Sequence, residues 1–293
     1  MRLVTFRDGK GTRIGALDET GKVLDLAAAD AALPREMLAL IAGGKAALAA
    51  ARAAQDKAPV AEDATILAPI PRPTKNIFCV GKNYHEHAKE FASSGFDATA
   101  KEVVPEAPVV FSKPPTSVIG PQDPIPSFLD PTNSTDYEGE IAVVIGRGGR
   151  GIREAQAYAH VFGYTIVNDV TARTLQHRHR QWILGKGIDG FCPMGPAIVT
   201  ADAAGTPPKL AISTWLNGEL RQRAPIEDLI FGIPTLIATI SAAITLEPGD
   251  IIATGTPAGV GIGFAPPKFL KPGDRVRIEV PGIGVLENPV AWT

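Results

Sequence analysis

Two glutamates, Glu138 and Glu140, stand two positions apart at the start of an apolar run that ends at Gly146. Residues i and i+2 of a strand point to the same face, so the two carboxylates would lie roughly 7 Å apart on one face. Like charges that face the interior are unfavourable unless a cation lies between them. Asp169 ends the next strand-like run, 162–169, and adds a third carboxylate. Three oxygen ligands without a nearby thiolate favour Mg²⁺ or Mn²⁺ over Zn²⁺. The pattern predicts a sheet-based, metal-dependent enzyme.

Turn-forming residues are scattered along the whole chain. The 30 glycines and 26 prolines among 293 residues show no period, which favours many short strands and tight turns over a helical bundle. The net charge of −2 gives no reason to expect nucleic acid or an anionic membrane as a partner. The two cysteines, Cys79 and Cys192, have apolar neighbours and are expected to be buried free thiols.

Two observations bear on location. The chain opens directly with a strand-and-turn pattern rather than with a secretory signal. The stretch 229–246 carries no charge, but its proline, glycine, serine and threonines favour a buried helix from about Pro234 to Ile244 over a membrane span. We therefore expect a cytoplasmic protein.

Local patterns predict a mixed α+β fold with a β-rich core. The first thirty residues alternate short apolar runs with turn residues, as an antiparallel meander does. The Ala- and Leu-rich segment 37–54 predicts a helix that Gly43 and Gly44 can interrupt. Prolines at 69, 71 and 73 form a stiff connector, so we expect a small N-terminal α/β domain over 1–70 and a catalytic domain over 71–293. Asn217-Gly218 predicts a type I′ hairpin turn.

The segment Gly146–Gly151 matches G-x-G-x-x-G, and Asp169 follows it at a distance that suits a dinucleotide fingerprint. Three observations count against that interpretation. The preceding strand carries acids on one face, whereas a central parallel strand is apolar on both. The helical stretch after it, 153–160, is short, and no βαβ alternation follows. A glycine-rich turn is the favoured interpretation.

Three sets of titratable residues have more than one interpretation. His177 and His179 do not share a helix face, so surface charge is favoured over joint metal binding, and contact with a substrate carboxylate is the alternative. Lys186 lies among glycines and apolar residues, which can lower its pKa, direct it at an anion, or simply mark a solvated loop. His87 and Glu90, at i and i+3, form either a general-base pair or part of an exposed polar helix.

Six segments, taken together and in this order, resemble the fumarylacetoacetate hydrolase superfamily. They are 76–84, 138–140, 168–176, 185–196, 216–221 and 254–261. Each is a weak signal alone, and the ordered set is specific. The resemblance covers about three quarters of the chain, from Pro71 to the C-terminus.

The resemblance implies a fold and a site. The fold is a β-rich roll of packed sheets with peripheral helices, commonly in a homodimer. Glu138, Glu140 and Asp169 would bind one Mg²⁺ or Mn²⁺. The resemblance places the other site residues as follows: Lys186 beside the metal and the substrate, His87 with Glu90 on a lid, and Arg173, Gln176 and Thr256 in the substrate pocket. Gly187 departs from the pattern, since many relatives have serine after the lysine, and this puts the local detail and the substrate preference in question.

The leading hypothesis is hydrolysis of an acylpyruvate or a related 1,3-dicarbonyl 2-oxo acid. His87, oriented by Glu90, would activate water, and Lys186 would stabilise the developing oxyanion. The bound metal would stabilise the enolate that forms when the C–C bond breaks. Oxaloacetate decarboxylation and 2-hydroxydienoate isomerisation pass through the same enolate and are the alternatives within the family. A nucleotide-binding oxidoreductase and a catalytically silent sensor of 2-oxo acids are alternatives from other classes.

Overall fold

The structure is a computed structural model that describes residues 1–97 and 103–292. It begins with the strands β1 (Arg2–Asp8), β2 (Gly11–Leu17) and β3 (Val23–Asp25), each antiparallel to the next, so the predicted meander is confirmed. Three helices follow, α1 (Leu26–Ala29), α2 (Met37–Ala42) and α3 (Gly44–Gln55). The helix expected over 37–54 is divided where Gly44 adopts a φ of +60°, which glycine tolerates at little cost.

Short strands and helices alternate irregularly through the rest of the chain. In order, they are β4 (Thr65–Leu67), β5 (Ile77–Gly81), α4 (His85–Ser93), β6 (Val109–Lys113), β7 (Val118–Ile119), β8 (Thr135–Asp136), β9 (Gly139–Ile145), β10 (Val161–Asn168), β11 (Thr171–Ala172), α5 (Arg173–His179), α6 (Ile183–Lys186), β12 (Cys192–Thr200), α7 (Ala201–Ala204), β13 (Ala211–Leu216), β14 (Glu219–Pro225), α8 (Ile233–Ala243), β15 (Ile251–Ala253), β16 (Arg275–Val280) and β17 (Gly284–Pro289). The described residues also form five 3₁₀ segments, Pro115–Ser117, Ser127–Leu129, Glu154–His160, Ile226–Asp228 and Gly261–Gly263.

Within the two described ranges, the strands form three sheets. The largest has 11 strands in the order β3-β2-β1-β12-β10-β9-β15-β5-β6, with β4 paired to β1 and β7 to β12. A four-stranded sheet, β14-β13-β16-β17, packs on it through contacts of β13 with β9 and of β17 with β12. The strands β8 and β11 form a small pair. These packed sheets with peripheral helices confirm the mixed α+β fold.

The N-terminal strands continue the large sheet, because β1 pairs with β12 in antiparallel register. The division of the chain near residue 70 into two domains stays a prediction. The buried free thiols Cys79 and Cys192 are confirmed.

Strand β9 is buried on both faces; Glu140 lies at its beginning, and Glu138 lies directly before it. Ile141 and Val143 contribute to the core between the sheets, whereas Ala142 and Val144 contribute to the core on the opposite face. Both neighbours of β9 run antiparallel to it. Because a dinucleotide fingerprint needs parallel strands joined by a helix, this topology favours the glycine-rich turn for 146–151.

Two local predictions are confirmed. The hairpin between β13 and β14 turns at Asn217 and Gly218, whose φ values of 52° and 84° suit a type I′ turn. The expected helix at Pro234–Ile244 is α8, shifted by one residue. None of the helices among the described residues has the length and the apolar character that a membrane crossing needs.

Candidate metal and substrate site

Three buried carboxylates converge where β9 and β10 lie side by side. Glu140 lies in β9 opposite Val167 of β10, Glu138 lies just before β9, and Asp169 just after β10. The backbone N–H of Asp169 donates to the Glu138 carbonyl at 2.8 Å, which holds the two ends together. One carboxylate oxygen from each residue lies within 4.8 Å of the others. The antiparallel pairing therefore brings Asp169 to the two glutamates, as the metal hypothesis requires.

Cationic side chains surround Glu138. Lys186 Nζ lies 2.7 Å from its Oε2, and Arg173 Nη2 lies 2.7 Å from its Oε1. Burial alone would raise the pKa of Glu138, but the attraction of Lys186 and Arg173 outweighs it and lowers the pKa to about 2. Glu138 is therefore a carboxylate throughout the physiological range.

Glu140 has a different environment. Its Oε2 accepts a hydrogen bond from Gly255 N–H at 2.9 Å, and within the described parts of the chain no cationic side chain forms an ion pair with it. Burial, together with the negative charges of Asp169 and Glu138, raises the pKa of Glu140 well above its usual value. A divalent cation among the three carboxylates would remove this repulsion. The buried oxygen donors thus fit Mg²⁺ or Mn²⁺.

Lys186 ends α6 and is directed at the carboxylates. Its Nζ donates to Glu138 and to Asp169, at 2.7 Å in each case. Burial favours the neutral amine, but Asp169 and Glu138 outweigh it and raise the lysine pKa. Of the options that the sequence left open, the structure therefore supports a fixed ammonium directed at anions, and the pKa is raised rather than lowered.

The missing serine after Lys186 has a steric explanation. A Cβ on Gly187 would lie 2.7 Å from Cδ of Pro114 and 2.8 Å from the Ile183 carbonyl oxygen, closer than side chains normally approach. Glycine at this position lets α6 end against Pro114 without disturbing the neighbouring lysine.

Sequence reasoning missed a second buried lysine, Lys113 at the end of β6. Its Nζ lies 2.9 Å from Asp169 Oδ1 and donates to the carbonyls of Val170 at 3.0 Å, of Phe191 at 2.8 Å, and of Lys186. These contacts join the loop that carries Asp169 to the one that follows Lys186. The available signal was a single lysine at the end of an apolar strand, directly before a proline.

His87 and Glu90 lie on α4 and form the predicted pair. His87 Nδ1 is 3.1 Å from Glu90 Oε2, and Glu90 Oε1 accepts from Gly259 N–H at 2.9 Å. His87 is 5% exposed, so this helix face is buried rather than polar surface. The glycine amide therefore fixes the carboxylate that orients the imidazole.

The three residues that were expected to contact the substrate, Arg173, Gln176 and Thr256, have different hydrogen-bond partners. Arg173 Nε pairs with Asp136 at 2.9 Å, and its Nη1 donates to Gln176 Oε1 at 3.3 Å. Thr256 Oγ1 donates to the Gly139 carbonyl at 2.9 Å and accepts from Gln222 Nε2 at 2.7 Å. The histidines of α5, at 177 and 179, are exposed.

One cavity brings most of these residues together. It is lined by Gly81, Lys82, His87, Phe91, Glu138, Arg173, Gln176, Trp182 and Lys186. Thr256 is not among these residues; it holds the backbone of β9 beside Glu140 instead. The cavity measures about 10 Å³, which is room for about one water molecule. In this conformation the cavity therefore has no room for a small organic substrate.

Comparison with known proteins finds one matching family model and relatives that share most of the chain. The family model "Fumarylacetoacetate (FAA) hydrolase C-terminal" matches residues 76–291. The chain is 52% identical to "Oxaloacetate tautomerase YisK" of Bacillus subtilis (strain 168) over 223 residues, 76% of this chain and 72% of that protein. It is 41% identical to "Oxaloacetate tautomerase fahd2, mitochondrial" of Xenopus laevis over 298 residues, 99% of this chain and 90% of that one.

Two solved structures share the whole fold. A fumarylacetoacetate hydrolase from psychrophilic Exiguobacterium antarcticum superposes with a TM-score of 0.85 at 40% identity, and the match covers 100% of both chains. A maleylpyruvate hydrolase from Sphingobium sp. SYK-6, in complex with manganese (II) ion and pyruvate, superposes with a TM-score of 0.79 at 32% identity and covers 99% of both chains.

Proposed function

The chain belongs to the fumarylacetoacetate hydrolase family, and from this premise we propose that it interconverts the keto and enol forms of oxaloacetate with one divalent cation, Mg²⁺ or Mn²⁺. The observation that carries the proposal is a single cavity in which His87, held by Glu90, lies with Glu138 and Lys186. The names of the Bacillus subtilis and Xenopus laevis relatives favour oxaloacetate over other 2-oxo acids.

Glu138, Glu140 and Asp169 would hold the cation, since their oxygens converge and one of the three lacks a cationic partner among the described residues. When bound there, a divalent cation supplies Lewis acidity, which makes a proton on the carbon beside a keto group easier to remove. The manganese named with the Sphingobium hydrolase supports a hard dication at such a site. Lys113 and Lys186 keep Asp169 in position for it.

His87 is the proposed base. When its proton is on Nδ1, the ring donates to Glu90 and keeps the Nε2 lone pair available. The glutamate also stabilises the ring once it gains a second proton. His87 would take a proton from carbon 3 of oxaloacetate and deliver it to the oxygen on carbon 2. The keto-to-enol conversion then balances without another reactant.

Lys186 would donate a hydrogen bond to the oxygen on which negative charge develops, because its ammonium is already fixed beside Glu138 and its raised pKa keeps it charged. Arg173 and Gln176 border the same cavity and would position the substrate. Thr256, bonded to the Gly139 carbonyl, would act indirectly by holding the strand that carries Glu140.

The test is a direct assay in which the decay of the enol form of oxaloacetate is followed by its ultraviolet absorbance. With Mg²⁺ or Mn²⁺ the protein should accelerate the approach to keto–enol equilibrium, and EDTA should abolish the acceleration. His87→Ala should lower the rate about 10²- to 10⁴-fold while Mn²⁺ affinity, measured by calorimetry, stays within about threefold. Wild-type protein that accelerates nothing with either metal would refute the function, and an unchanged rate in His87→Ala would refute the assignment of the base.

Acylpyruvate hydrolysis is the second candidate, and the pair His87–Glu90 favours it because the same base can take a proton from an attacking water. The pyruvate named with the Sphingobium hydrolase is consistent with a 2-oxo acid product. A panel of acetylpyruvate, oxaloacetate and a 2-hydroxydienoate separates hydrolysis, decarboxylation and isomerisation. His87→Ala should stop hydrolysis, whereas decarboxylation needs no attacking water and should persist.

The assembly and the location stay predictions. We propose a homodimer, which light scattering coupled to gel filtration would test. The Xenopus laevis relative is named as mitochondrial, so cell fractionation is the test of the expected cytoplasmic location.

A further inference from the structure

The cavity contains a lysine that the proposed chemistry does not use. Lys82 follows β5 directly, is 3% exposed and lines the same cavity as His87, Glu138 and Lys186. A fully buried lysine is uncommon and needs an anionic or polar partner. Lys82 therefore requires such a partner, and it borders the cavity that the proposed substrate would enter.

The backbone holds this lysine in an unusual conformation. Lys82 has a φ of +54°, in the left-handed region that residues with a Cβ seldom adopt. The next residue, Asn83, fixes that conformation, since its amide donates to the carbonyls of Phe231 at 3.0 Å and Thr254 at 2.7 Å and accepts from Phe231 N–H at 2.8 Å. Strain that the surroundings maintain in this way is typical of residues placed for a function.

Carboxylate recognition by Lys82 is already present in the structure. Its Nζ forms an ion pair with the carboxylate of Asp97 and lies 5.4 Å from the ring centroid of Phe91. Both side chains of the ion pair are buried, at 2% and 7% exposure. In such a poorly solvated position the ammonium attracts a carboxylate more strongly than a surface lysine does.

Asp97 follows α4, the helix that carries His87 and Glu90, whereas Lys82 precedes that helix. The ion pair therefore connects the two ends of the segment that covers the cavity. A substrate that ends in a carboxylate would offer the ammonium of Lys82 a second anionic partner.

We propose that Lys82 binds the distal carboxylate of the substrate and thereby selects dicarboxylic 2-oxo acids over those with an uncharged end. The inference rests on the proposed function, in which the acidic triad (Glu138, Glu140 and Asp169) and Lys186 hold the 2-oxo acid end of the substrate. Oxaloacetate carries a carboxylate at each end of a four-carbon chain, so one end would lie at the triad and the other at Lys82. Asp97 competes for the same ammonium and keeps it paired before substrate enters.

The experiment compares two ligands that differ only at the distal end. Oxaloacetate ends in a carboxylate, and 2-oxobutanoate has a methyl group in its place; oxalate reports on the triad end alone. Dissociation constants are measured by competition calorimetry on Mn²⁺-loaded wild-type protein, Lys82→Met, Lys82→Arg and Asp97→Asn. Lys89→Met, which removes an exposed charge from the same helix, is the matched control.

Wild-type protein should prefer oxaloacetate over 2-oxobutanoate by about 10- to 100-fold, the range expected for a hydrogen bond to a charged group. Lys82→Met should reduce the preference to less than about threefold without weakening oxalate binding, and Lys82→Arg should restore most of it. Asp97→Asn should keep or increase the preference, and Lys89→Met should leave it unchanged.

A preference that survives in Lys82→Met overturns the inference, as does a loss of oxalate binding equal to the loss of oxaloacetate binding, because the lysine would then act only on folding. A preference that depends on Asp97 and not on Lys82 also overturns it. The tautomerase assay tests the proposed function independently of this inference. If the preference for oxaloacetate depends on Lys82 but the protein does not accelerate enol decay, the binding site is supported and the tautomerase function is refuted.

Discussion

The substitution Gly263→Ala should disable the pair of His87 and Glu90 without changing a residue that lines the cavity. A Cβ built on Gly263 would lie 1.8 Å from Oε1 of Glu90 and 2.4 Å from its Cδ, whereas ordinary contact begins at 3.4 Å. The carboxyl group of Glu90 must therefore move by at least about 1.5 Å to reach normal van der Waals separation. This movement breaks the 2.9 Å bond from Gly259 N–H and the 3.1 Å contact with His87.

The expected loss follows from the two broken contacts. Hydrogen bonds to a charged group contribute about 1.5–3 kcal/mol each, and general-base catalysis as a whole contributes about 10²- to 10⁴-fold. We expect kcat for oxaloacetate tautomerisation to fall about 10- to 100-fold, because His87 stays in place but loses its orienting partner. KM should stay within about threefold, and Tm should fall by only a few degrees.

A double-mutant cycle makes this reasoning refutable. Glu90→Ala removes the atoms that the new methyl group would meet, so Gly263→Ala should have no further effect in that background. Gly9→Ala is the steric control, because no heavy atom of the described residues lies within 4 Å of the place where its Cβ would stand, and it should change neither kcat nor Tm. Full activity of Gly263→Ala, or losses that multiply in the double variant, would show that the glycine does not act through Glu90.

Glu140→Gln should stabilise the metal-free protein and abolish the rise in Tm that Mn²⁺ produces, because burial beside two other carboxylates raises the pKa of Glu140. A carboxyl group whose pKa is raised by folding lowers the stability of the protein as pH rises above the unfolded pKa, which is near 4.5. The stability advantage of the glutamine variant, measured by denaturation in EDTA, should therefore grow from pH 5 to pH 7 and reach about 1–3 kcal/mol. A variant that is less stable than the wild type, or that Mn²⁺ still stabilises, would contradict this. Lys113→Met should lower the free energy of unfolding by about 3–5 kcal/mol because it leaves Asp169 without one of its two lysines, and urea unfolding that shows less than about 1 kcal/mol would count against that role. Gly187→Ser should cost about 1–3 kcal/mol through its contact with Pro114, and an unchanged Tm would mean that the proline moves aside.

Patterns that depend on a few neighbouring residues could be predicted from the sequence. The shared face of Glu138 and Glu140 follows from the period of a strand, and the pairing of His87 with Glu90 follows from the period of a helix. The turn at 217–218 and the division of the helix near Gly44 have the same local origin, because glycine and asparagine tolerate positive φ. The order of six such segments was sufficient for the family.

Contacts between distant segments needed the structure. Lys113 reaches three carbonyl acceptors that are 57 to 78 residues further along the chain, and nothing beside it in the sequence indicates that they are there. The role of Gly263 as the space for Glu90, and the reason for glycine at 187, depend on surfaces that meet only after packing.

The sequence by itself therefore determined the family, the predominance of strands, the candidate metal-binding carboxylates and the candidate base, since each is encoded by a periodic or ordered local pattern. The tertiary structure alone decided that the glycine-rich segment follows an antiparallel strand, that Lys186 is a fixed ammonium with a raised pKa, and that Lys82 lies inside the cavity. The physical reason is that backbone geometry determines how near neighbours point, whereas burial, charge and steric contact depend on which distant strands pair.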